Sequence, residues 1–505
     1  MVVASILAKL GLAALTYIIC KAVYQVVYYR WFHPLSTFPG PFWGSVTRLW
    51  LAYHCFMGDE CEVVRDLHKI HGPAIRITPT MILVADATKM PEIYNRTAHK
   101  SEHYITGSFG TEESVFNMQD QKTHFKFRKI AAEPYGFGNI KKMEPLMDTL
   151  IEQWIKKLDL LFAQTGEKFD FAPWSVYLAY DIIGDIGFGG PFGFVSQAKD
   201  VEGLIQGFHD GSVPFGLMAR LYPFTNLIKK TFLGKYLIAS PEQDNGVGVL
   251  MRFRDKLLAK RLDDIEKKNL RGRVDLLQTY LEARDEKGEA LSIDYIKVEM
   301  VLVLLAGAVT TGSASQALMR EIMGKPSVYK RMMEELDSAT REGKLSSMPQ
   351  YEEVVAYCPY FVACVRESLR LNPPVSSIFP RLAPKGGLEL FGKHVPEGLE
   401  VTGNSRVVNR DPNIYGADAE EFKPERWLDA EKAREYNKYS LTFGFGPRVC
   451  LGREIVYMEL YKAPLQFFRT FKPTVLDNGK YVYRGGLTSF ENEMIQIEKR
   501  AQSPL

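Results

Sequence analysis

One cysteine of this chain lies in a segment with the composition of a rigid loop. The segment FGFGPRVCLG, Phe443 to Gly452, surrounds Cys450 with three glycines, a proline and an arginine. Glycine permits backbone conformations that are closed to other residues, and proline stiffens a turn. The next segment, LGREIVYMELYKAPLQFF, has helical spacing, which places the sulfur near a helix N-terminus. The free N–H groups there and the charge of Arg448 favour a thiolate.

The other cysteines limit what such a thiolate could do. The chain has six cysteines, at positions 20, 55, 61, 358, 364 and 450, and they form no CxxC pair. This spacing excludes a dense disulfide scaffold and favours free thiols in a reducing compartment. Neither a second cysteine nor a histidine adjoins Cys450, so a tetrahedral zinc site is excluded there. A single axial bond to a chelated iron fits the residue better, and an inert core cysteine is the alternative.

Phe443, Gly446, Arg448, Cys450 and Gly452 fit the pattern FxxGxRxCxG. In this the chain resembles the cytochrome P450 superfamily, in particular its fungal microsomal members. The resemblance implies a bound haem b whose iron takes Cys450 as its axial ligand. It also implies a role for each neighbour: Phe443 packs as a lid near the sulfur, Gly446 shapes the loop, Arg448 binds a haem propionate and Gly452 lets the next helix approach closely.

Two further motifs agree with this resemblance. Glu367 and Arg370 in CVRESLRLNPP form an ExxR pair one helical turn apart, and PERW, Pro424 to Trp427, follows before the cysteine. In the family, the arginine of the second motif, here Arg426, joins Glu367 and Arg370 in a buried network that holds the cysteine loop. The ExxR spacing alone carries no weight, because two other pairs have it: Glu62 with Arg65, and Glu431 with Arg434.

The resemblance also implies haem-propionate partners far from the cysteine. His124 and Arg128 lie one turn apart in HFKFRK, and Arg381 lies in FPRLAPKGG, at positions where the family binds the haem carboxylates. Each residue alone is more simply a surface charge, but all occur in family order. One cofactor held by residues from 124 to 450 predicts a single haem-containing catalytic domain over residues 45–505.

The central helix departs from the family pattern. The family usually has (A/G)Gx(D/E)TT, whereas Ala306 to Thr311 reads AGAVTT, with Val309 at the acidic position. In the family the acid helps to deliver protons during oxygen activation, and the threonine, here Thr310, is the catalytic hydrogen-bonding residue. A valine cannot carry protons. Slow, poorly coupled or non-oxygenase turnover is therefore expected.

The resemblance implies an NADPH- and O2-dependent monooxygenase that oxidises a lipophilic small molecule in fungal terpenoid, polyketide or alkaloid biosynthesis. Electrons would come from NADPH-cytochrome P450 reductase, with cytochrome b5 as a second candidate partner, since the chain has no flavin or nicotinamide fingerprint. The expected docking residues for the reductase are Lys126, Lys129, Lys438 and Arg453. The expected substrate contacts are residues 104–116, 208–221, 305–310 and 375–379.

Two other functions remain open at this point. One is a haem-thiolate isomerase, dehydratase or ring-forming enzyme without net oxygen insertion, which the valine at position 309 favours. The other is a non-catalytic haem-binding or scaffold protein. Nucleic-acid binding is excluded as a first interpretation, because 63 Lys and Arg nearly balance 60 Asp and Glu and no long basic run occurs.

The elements that must position these residues are mostly helical. Apolar residues recur three and four apart from Met143 to Leu371, with β-like pieces at Ala74–Asp86 and Leu388–Gly403, which predicts a mainly α fold with small β-sheets (α+β). One helix of more than thirty residues is predicted from the N-cap Ser292 to Lys325. Gly307 at its centre fits either a close helix–helix contact or a groove for a flat ligand.

The N-terminus has the composition of a membrane anchor. Residues 1–29 contain apolar windows of about the 20 residues that a spanning helix needs, and tyrosines and a tryptophan follow as an interfacial belt. Arg30 and Arg48 after the span predict a single-pass protein of the endoplasmic reticulum with its catalytic domain in the cytosol. A cleaved secretory signal is the alternative. Residues 30–44, which include HPLSTFPGPFWG, predict a stiff connector that forms neither a helix nor a central strand.

Overall fold

The computed structural model describes residues 2–107, 112–269 and 275–501, and these are mostly helical. This confirms the predicted fold class. The helices are α1 (Val2–Val27), α2 (Phe42–Val46), α3 (Leu49–Met57), α4 (Glu60–His71), α5 (Met90–Ile93), α6 (Gln121–Ala132), α7 (Phe137–Leu158), α8 (Phe171–Phe188), α9 (Phe194–Gln197), α10 (Leu204–Arg220), α11 (Tyr222–Lys229), α12 (Val247–Glu266), α13 (Leu276–Glu282), α14 (Ile293–Met323), α15 (Pro326–Arg341), α16 (Tyr351–Tyr357), α17 (Pro359–Leu371), α18 (Ser405–Val408), α19 (Pro412–Tyr415), α20 (Ala430–Tyr439) and α21 (Arg453–Thr470).

Short strands form small sheets between these helices. The strands are β1 (Ala74–Thr78), β2 (Met81–Val84), β3 (Phe169–Asp170), β4 (Arg381–Leu382), β5 (Leu388–Leu390), β6 (Lys393–Val395), β7 (Glu400–Gly403), β8 (Phe471–Val475), β9 (Lys480–Arg484), β10 (Leu487–Glu491) and β11 (Met494–Lys499). One sheet has the order β1-β2-β7-β4, in which β2 and β7 are parallel and the other pairs antiparallel. The others are β3-β11-β8 and the pairs β9-β10 and β5-β6.

The N-terminal helix is the candidate anchor. Among the described residues, one helical stretch, Lys9–Phe32, is long and apolar enough to cross a membrane, and none of it is buried. It combines most of α1 with a π-helical turn over Tyr28–Phe32. An apolar helix with no buried residue is consistent with membrane anchoring.

The connector is more helical than the sequence predicts. Pro34–Thr37 forms a 3-10 turn, and α2 begins directly after Pro41. The prediction that this stretch forms no helix is therefore wrong. Pro34 begins the first turn and Pro41 directly precedes α2, positions where a fixed φ suits a helix and a missing N–H has no partner to lose.

The central helix α14 begins and ends close to the prediction. Ser292 is its N-cap, with Oγ accepting the Tyr295 N–H at 3.1 Å, and the helix runs for 31 residues. It packs closely on α8: a Cβ added to Gly307 would lie 2.7 Å from Cγ1 of Ile183. At this position, the interpretation as a close helix–helix contact is confirmed.

The hydrophobic core fixes the helix that follows the cysteine. The largest cluster of buried apolar residues extends from Val115 to Ile497 and contains side chains of both α14 and α21. In α21 every residue from Met458 to Thr470 is buried. The loop before α21 is thus attached to one of the most constrained helices of the fold.

Candidate active site

The cysteine loop, residues 443–452, has the tight backbone that its glycines predict. Gly444 and Gly446 adopt left-handed conformations, with φ of 76° and 66°. A Cβ on Gly446 would lie 2.3 Å from the carbonyl oxygen of Tyr94, closer than any real contact. Only glycine satisfies both the dihedral angle and the space at position 446. Gly446–Arg448 then forms a 3-10 turn that ends two residues before the cysteine.

Cys450 is held by its backbone and stands just before α21. Its N–H donates to the carbonyl oxygen of Phe443 at 2.8 Å. Burial raises the pKa of the thiol, whereas the N–H groups of Gly452 and Arg453 and the charges of Arg128 and Arg453 lower it. These donors are the groups that stabilise a thiolate. No cluster of three His, Cys, Asp or Glu suited to a metal occurs in the described ranges.

Two neighbours of Cys450 differ in how well they match their expected roles. The Phe443 ring packs on Tyr457 of α21, with ring centroids 5.3 Å apart, and so covers the start of that helix. Gly452 does not act as predicted. A Cβ there would come no closer than 4.0 Å, to Sγ of Cys450, so the packing of α21 does not require glycine. The contribution of this residue is its N–H, which lowers the pKa of the Cys450 thiol.

Four basic side chains from distant parts of the chain gather in one cluster, in which Lys100 and Arg381 are buried and Arg128 and Arg448 are half-buried. Arg128, Arg381 and Arg448 were predicted from the sequence, and Lys100 was not. Burial lowers the pKa of Lys100 well below its usual value, and the charges of Arg381, Arg448 and Arg128 lower it further. The residue lies between His99 and Ser101, where nothing in its spacing distinguishes it from a surface lysine.

Within the described part of the chain, these four cations, the cation cluster, form no ion pair with a carboxylate. Four positive charges withdrawn in part from water without an ion-pair partner are costly, so the cluster fits a ligand with two carboxylates, such as haem with its propionates. In the structure the four basic side chains donate to neutral oxygens. Lys100 Nζ donates to the carbonyl of Phe116, and Arg128 Nη2 donates to the carbonyl of Val449 (2.6 Å). Arg381 Nη1 donates to the hydroxyl of Tyr104 (2.8 Å), and Arg448 donates to the carbonyls of Met118 (2.7 Å) and Gln119 (3.1 Å).

His124 lies beside the cation cluster. It is buried on α6, one turn before Arg128. Burial lowers its pKa to about 3, and the charges of Arg448, Lys100, Arg128 and Arg381 contribute in that order. The imidazole is therefore neutral and can donate one ring N–H to an anionic ligand.

The ExxR pair forms the predicted buried network. Glu367 is fully buried and accepts from Arg370 (2.7 and 2.8 Å), Arg426 (2.8 Å), the indole of Trp427 (2.8 Å) and the Lys423 N–H (2.9 Å). The lowered pKa of Glu367 arises because these hydrogen bonds and cations outweigh its desolvation. The carboxylate thus ties α17 to the PERW segment.

Asn409 connects this network to the cysteine loop, and its role was not predicted. Its amide donates to the carbonyl of Arg370 (3.2 Å) and to Oγ1 of Thr442 (2.9 Å), and its Oδ1 accepts the Leu441 N–H (2.8 Å). Thr442 in turn donates to the carbonyl of Leu369 (3.1 Å). The two residues before the loop are therefore fastened to the end of α17. A lone asparagine has no sequence signal that could have revealed this.

The central helix presents Thr310 on an accessible stripe. Ala306 is exposed, and Leu305 and Thr310 are half-buried, although α14 runs through the core. The side of α14 that carries these three residues therefore borders a space inside the protein. The Thr310 hydroxyl donates to the carbonyl of Ala306 at 2.6 Å, and the Thr311 hydroxyl donates to the carbonyl of Gly307 at 2.8 Å. Val309 is buried in the apolar core and offers no polar group.

Two of the expected substrate segments meet in an aromatic group. The rings of Tyr104, Phe116 and Phe379 lie with centroids 5.6 to 6.3 Å apart. Residues 108–111 of the segment 104–116 lie outside the described residues.

The structure combines a mainly helical fold, a single cysteine just before a helix N-terminus, a buried Glu–Arg–Arg network and a cluster of basic side chains without an ion-pair partner among the described residues. Together these features fit a haem-thiolate protein. A sequence model of the family described as "Cytochrome P450" matches residues 37–483. The chain belongs to the cytochrome P450 family. Family membership implies haem with cysteine thiolate ligation and electrons from NADPH through a reductase, so the protein is a haem-thiolate monooxygenase.

Several curated fungal proteins are similar over most of their length. The chain is 41% identical over 458 residues to quiannulatic acid synthase of Emericella variicolor, covering 89% of each chain. It is 33% identical over 463 residues to cytochrome P450 monooxygenase gsfF of Penicillium aethiopicum, covering 90% of this chain and 91% of the relative. It is 30% identical over 453 residues to cytochrome P450 monooxygenase cicH of Emericella nidulans, covering 87% and 88%.

Proposed function

We propose that this monooxygenase oxidises an uncharged, lipophilic small molecule in fungal secondary metabolism, and that Cys450 is the axial ligand of its haem. The observation that carries the proposal is the combination of the cysteine loop with the cation cluster. Residues 45–505 form one catalytic domain in this proposal, because the cation cluster draws on residues from 100 to 448.

Each residue of the site has a definite task in this scheme. Cys450 donates its thiolate, and the N–H groups of Gly452 and Arg453 stabilise the negative charge of the sulfur. The cation cluster and His124 bind the two propionates. Phe443 shields the sulfur side, and Gly446 gives the loop its shape. When bound, haem supplies the iron at which O2 is activated.

Thr310 is the proposed catalytic residue on the oxygen side. Its hydroxyl proton is engaged with the Ala306 carbonyl, which leaves its oxygen lone pairs available to accept a hydrogen bond. Because Val309 supplies no acid, protons must pass along water or the Thr310 hydroxyl. This arrangement favours slow or incompletely coupled turnover.

The aromatic group supports the proposed substrate class. Tyr104, Phe116 and Phe379 offer ring surface to a ligand, and lipophilic ligands are commonly bound by such surfaces with few polar groups. One relative is named as the synthase of an acid. A monooxygenase can produce a carboxylic acid by repeated oxidation of one methyl carbon, so product analysis of this enzyme should cover alcohol, aldehyde and acid.

A haem-thiolate reaction without net oxygen insertion is the second candidate. Val309 favours it, and so does the word synthase in the name of the relative with 41% identity. Dependence on NADPH and incorporation of labelled oxygen from 18O2 separate the two. A product that contains no label and forms without NADPH would contradict the monooxygenase proposal.

The proposed partner is NADPH-cytochrome P450 reductase, with cytochrome b5 as a second electron donor, and the proposed location is the endoplasmic reticulum with the catalytic domain in the cytosol. Lys129 and Lys438 are the better docking candidates of the four basic residues considered. The other two already form ion pairs within the chain: Lys126 lies 2.8 Å from Glu286, and Arg453 lies 2.7 Å from Glu454. Exposed pairs of this kind are weak, so a partner can still compete for them.

The test is expression of the full chain in yeast with a reductase. The reduced, carbon-monoxide-treated membranes should show the shifted Soret band of haem-thiolate ligation, and Cys450→Ala should abolish it. Candidate terpenoid, polyketide and alkaloid precursors are then supplied and the products analysed. An unshifted Soret band in the unsubstituted protein would contradict the ligand assignment, and products only from charged substrates would contradict the substrate class.

A further inference from the structure

A buried glutamate of α14 contacts the loop that carries Phe116. Glu299 is 2% exposed. It lies about three helical turns before Thr310, on the same face of the helix. Its Oε1 accepts the N–H of Val115 at 2.6 Å. None of the tasks assigned above uses this carboxyl group.

Val115 belongs to a single helical turn, residues 114–118. The carbonyl of Ser114 accepts the N–H groups of Asn117 (2.9 Å) and Met118 (3.0 Å). N–H groups at the start of such a turn find no acceptor within it. Glu299 supplies one from another element and so acts as a side-chain cap for the 114–118 turn.

The 114–118 turn determines where the Phe116 ring lies. The ring packs between those of Tyr104 and Phe379, and the Phe116 carbonyl accepts from Lys100 Nζ. Lys100 holds the middle of the turn, whereas Glu299 holds its first N–H. Arg448 holds the end of the turn through the Met118 carbonyl (2.7 Å), so loss of the Glu299 contact loosens its start, next to Phe116.

The surroundings of Glu299 keep an acceptor oxygen available. The titratable and charged groups around the Glu299 carboxyl are Tyr295 of α14, Arg128 of α6, Tyr280 of α13, and Tyr135. Burial raises the pKa of Glu299 to about 7, and the Val115 N–H, the Tyr295 hydroxyl and the charge of Arg128 oppose the rise. Both the charged and the neutral carboxyl group can accept the N–H, as can a glutamine amide, whereas alanine cannot.

We propose that Glu299 is a positioning residue that fixes Phe116 for substrate binding by capping the 114–118 turn. The proposal rests on the proposed function in one respect, the assignment of Phe116 to the substrate contacts. It predicts that Glu299 governs ligand affinity and the position of oxidation without governing haem binding.

The first experiment measures the turn directly, by amide hydrogen exchange and mass spectrometry of the haem-loaded full chain. Glu299→Ala should speed exchange of peptides covering residues 112–119 about tenfold, and Glu299→Gln should leave it near the unsubstituted rate. The matched control is Glu335→Ala. Glu335 also accepts backbone N–H groups, those of Tyr360 (2.8 Å) and Phe361 (3.0 Å), but on α17. This control should speed exchange around residue 360 and leave 112–119 unchanged.

The second experiment measures ligand binding by the Soret shift on titration with 4-phenylimidazole. Glu299→Ala should weaken binding about fivefold, with the carbon-monoxide spectrum intact, and Glu299→Gln should restore it. In a Phe116→Ala background, Glu299→Ala should add little, because both act through one ring. Val115→Pro removes the N–H that donates to Glu299 and should weaken phenylimidazole binding as Glu299→Ala does. If Glu299→Ala does not bind haem, the phenylimidazole affinity of Val115→Pro tests the proposal in its place.

The outcomes separate this proposal from the proposed function. Unchanged exchange at 112–119 and unchanged phenylimidazole affinity in Glu299→Ala, or fully additive effects with Phe116→Ala, would overturn the positioning role. Failure to find an oxidised product would count against the proposed function alone, because neither hydrogen exchange nor imidazole binding requires turnover.

Discussion

Removal of the Glu367 carboxylate should yield protein that does not retain haem. Glu367→Ala leaves the Arg370 guanidinium buried without a counter-charge, leaves Arg426 with Asp418 at 3.2 Å as its carboxylate partner, and removes the acceptor of the Trp427 indole. Leaving one member of a buried ion pair unpaired costs roughly 3–5 kcal/mol, which is a large part of the roughly 5–15 kcal/mol that stabilises a folded domain. Because Arg370 also binds the carbonyls of Asn409 and Ala419, its displacement would loosen the attachment of the cysteine loop.

The chain contains a matched control for this substitution. Glu431 and Arg434 have the same ExxR spacing and form an ion pair at 3.2 Å, but their side chains are 85% and 77% exposed, against 0% and 1% for Glu367 and Arg370. Glu431→Ala should change stability by less than about 0.5 kcal/mol. The assay is the ratio of haem to protein from the carbon-monoxide difference spectrum, together with the temperature at which haem is lost. Full haem incorporation and unchanged thermal loss in Glu367→Ala would refute the reasoning.

Four further predictions follow from particular contacts. Gly446→Ala forces a left-handed alanine against the Tyr94 carbonyl, and a cost of roughly 1–3 kcal/mol should appear as a reduced yield of haem-loaded protein; a normal yield would contradict the close contact. Lys100→Met should speed haem transfer to apomyoglobin about tenfold while leaving the apoprotein equally or more stable, and slower transfer would contradict a haem-binding role. Val309→Asp should raise the ratio of product to NADPH consumed; an unchanged ratio would mean that proton supply is not limiting. Because the pKa of Glu299 is raised to about 7, the folded state holds this proton more tightly than the unfolded state, so its contribution to stability falls as pH rises from about 4.5 to about 7. Glu299→Gln removes that dependence, so its melting temperature relative to the unsubstituted protein should be higher at pH 8 than at pH 5, and an equal difference at both pH values would refute the shift.

Local signals were sufficient for the features that depend on backbone chemistry. The glycines and proline around Cys450 predict a tight loop because their conformational limits act within a few residues, and the Ser292 cap predicts the start of α14 for the same reason. The ExxR pair was different. Its spacing occurs three times, and in the sequence only its place before PERW and Cys450 singles out Glu367. The burial of Glu367 depends on the whole fold and could not be predicted from the spacing.

Residues whose role arises from tertiary contacts could not be found from the sequence. Lys100 and Asn409 each carry a side chain common on protein surfaces, and they act through partners such as Phe116 and Thr442 that lie 16 and 33 residues away. The strands β8 to β11 were missed for a related reason. They are five or six residues long and take their stability from pairing across the sheet and from the core, for example Ile495 with Val475.

The 112–119 segment unites the haem side and the substrate side of the site. Its carbonyl groups accept from two members of the cation cluster, Lys100 and Arg448, while its first turn is capped by Glu299 of the central helix. A ligand that draws Lys100 or Arg448 away from these carbonyls removes hydrogen bonds that hold the 114–118 turn. The position of the turn then depends more strongly on the hydrogen bond between Glu299 and the Val115 N–H. The capping role of Glu299 should therefore matter most in the haem-loaded enzyme. Hydrogen exchange of residues 112–119 should differ more between Glu299→Ala and Glu299→Gln with haem than without it, and an equal difference in the two states would show that the cations and the cap act independently.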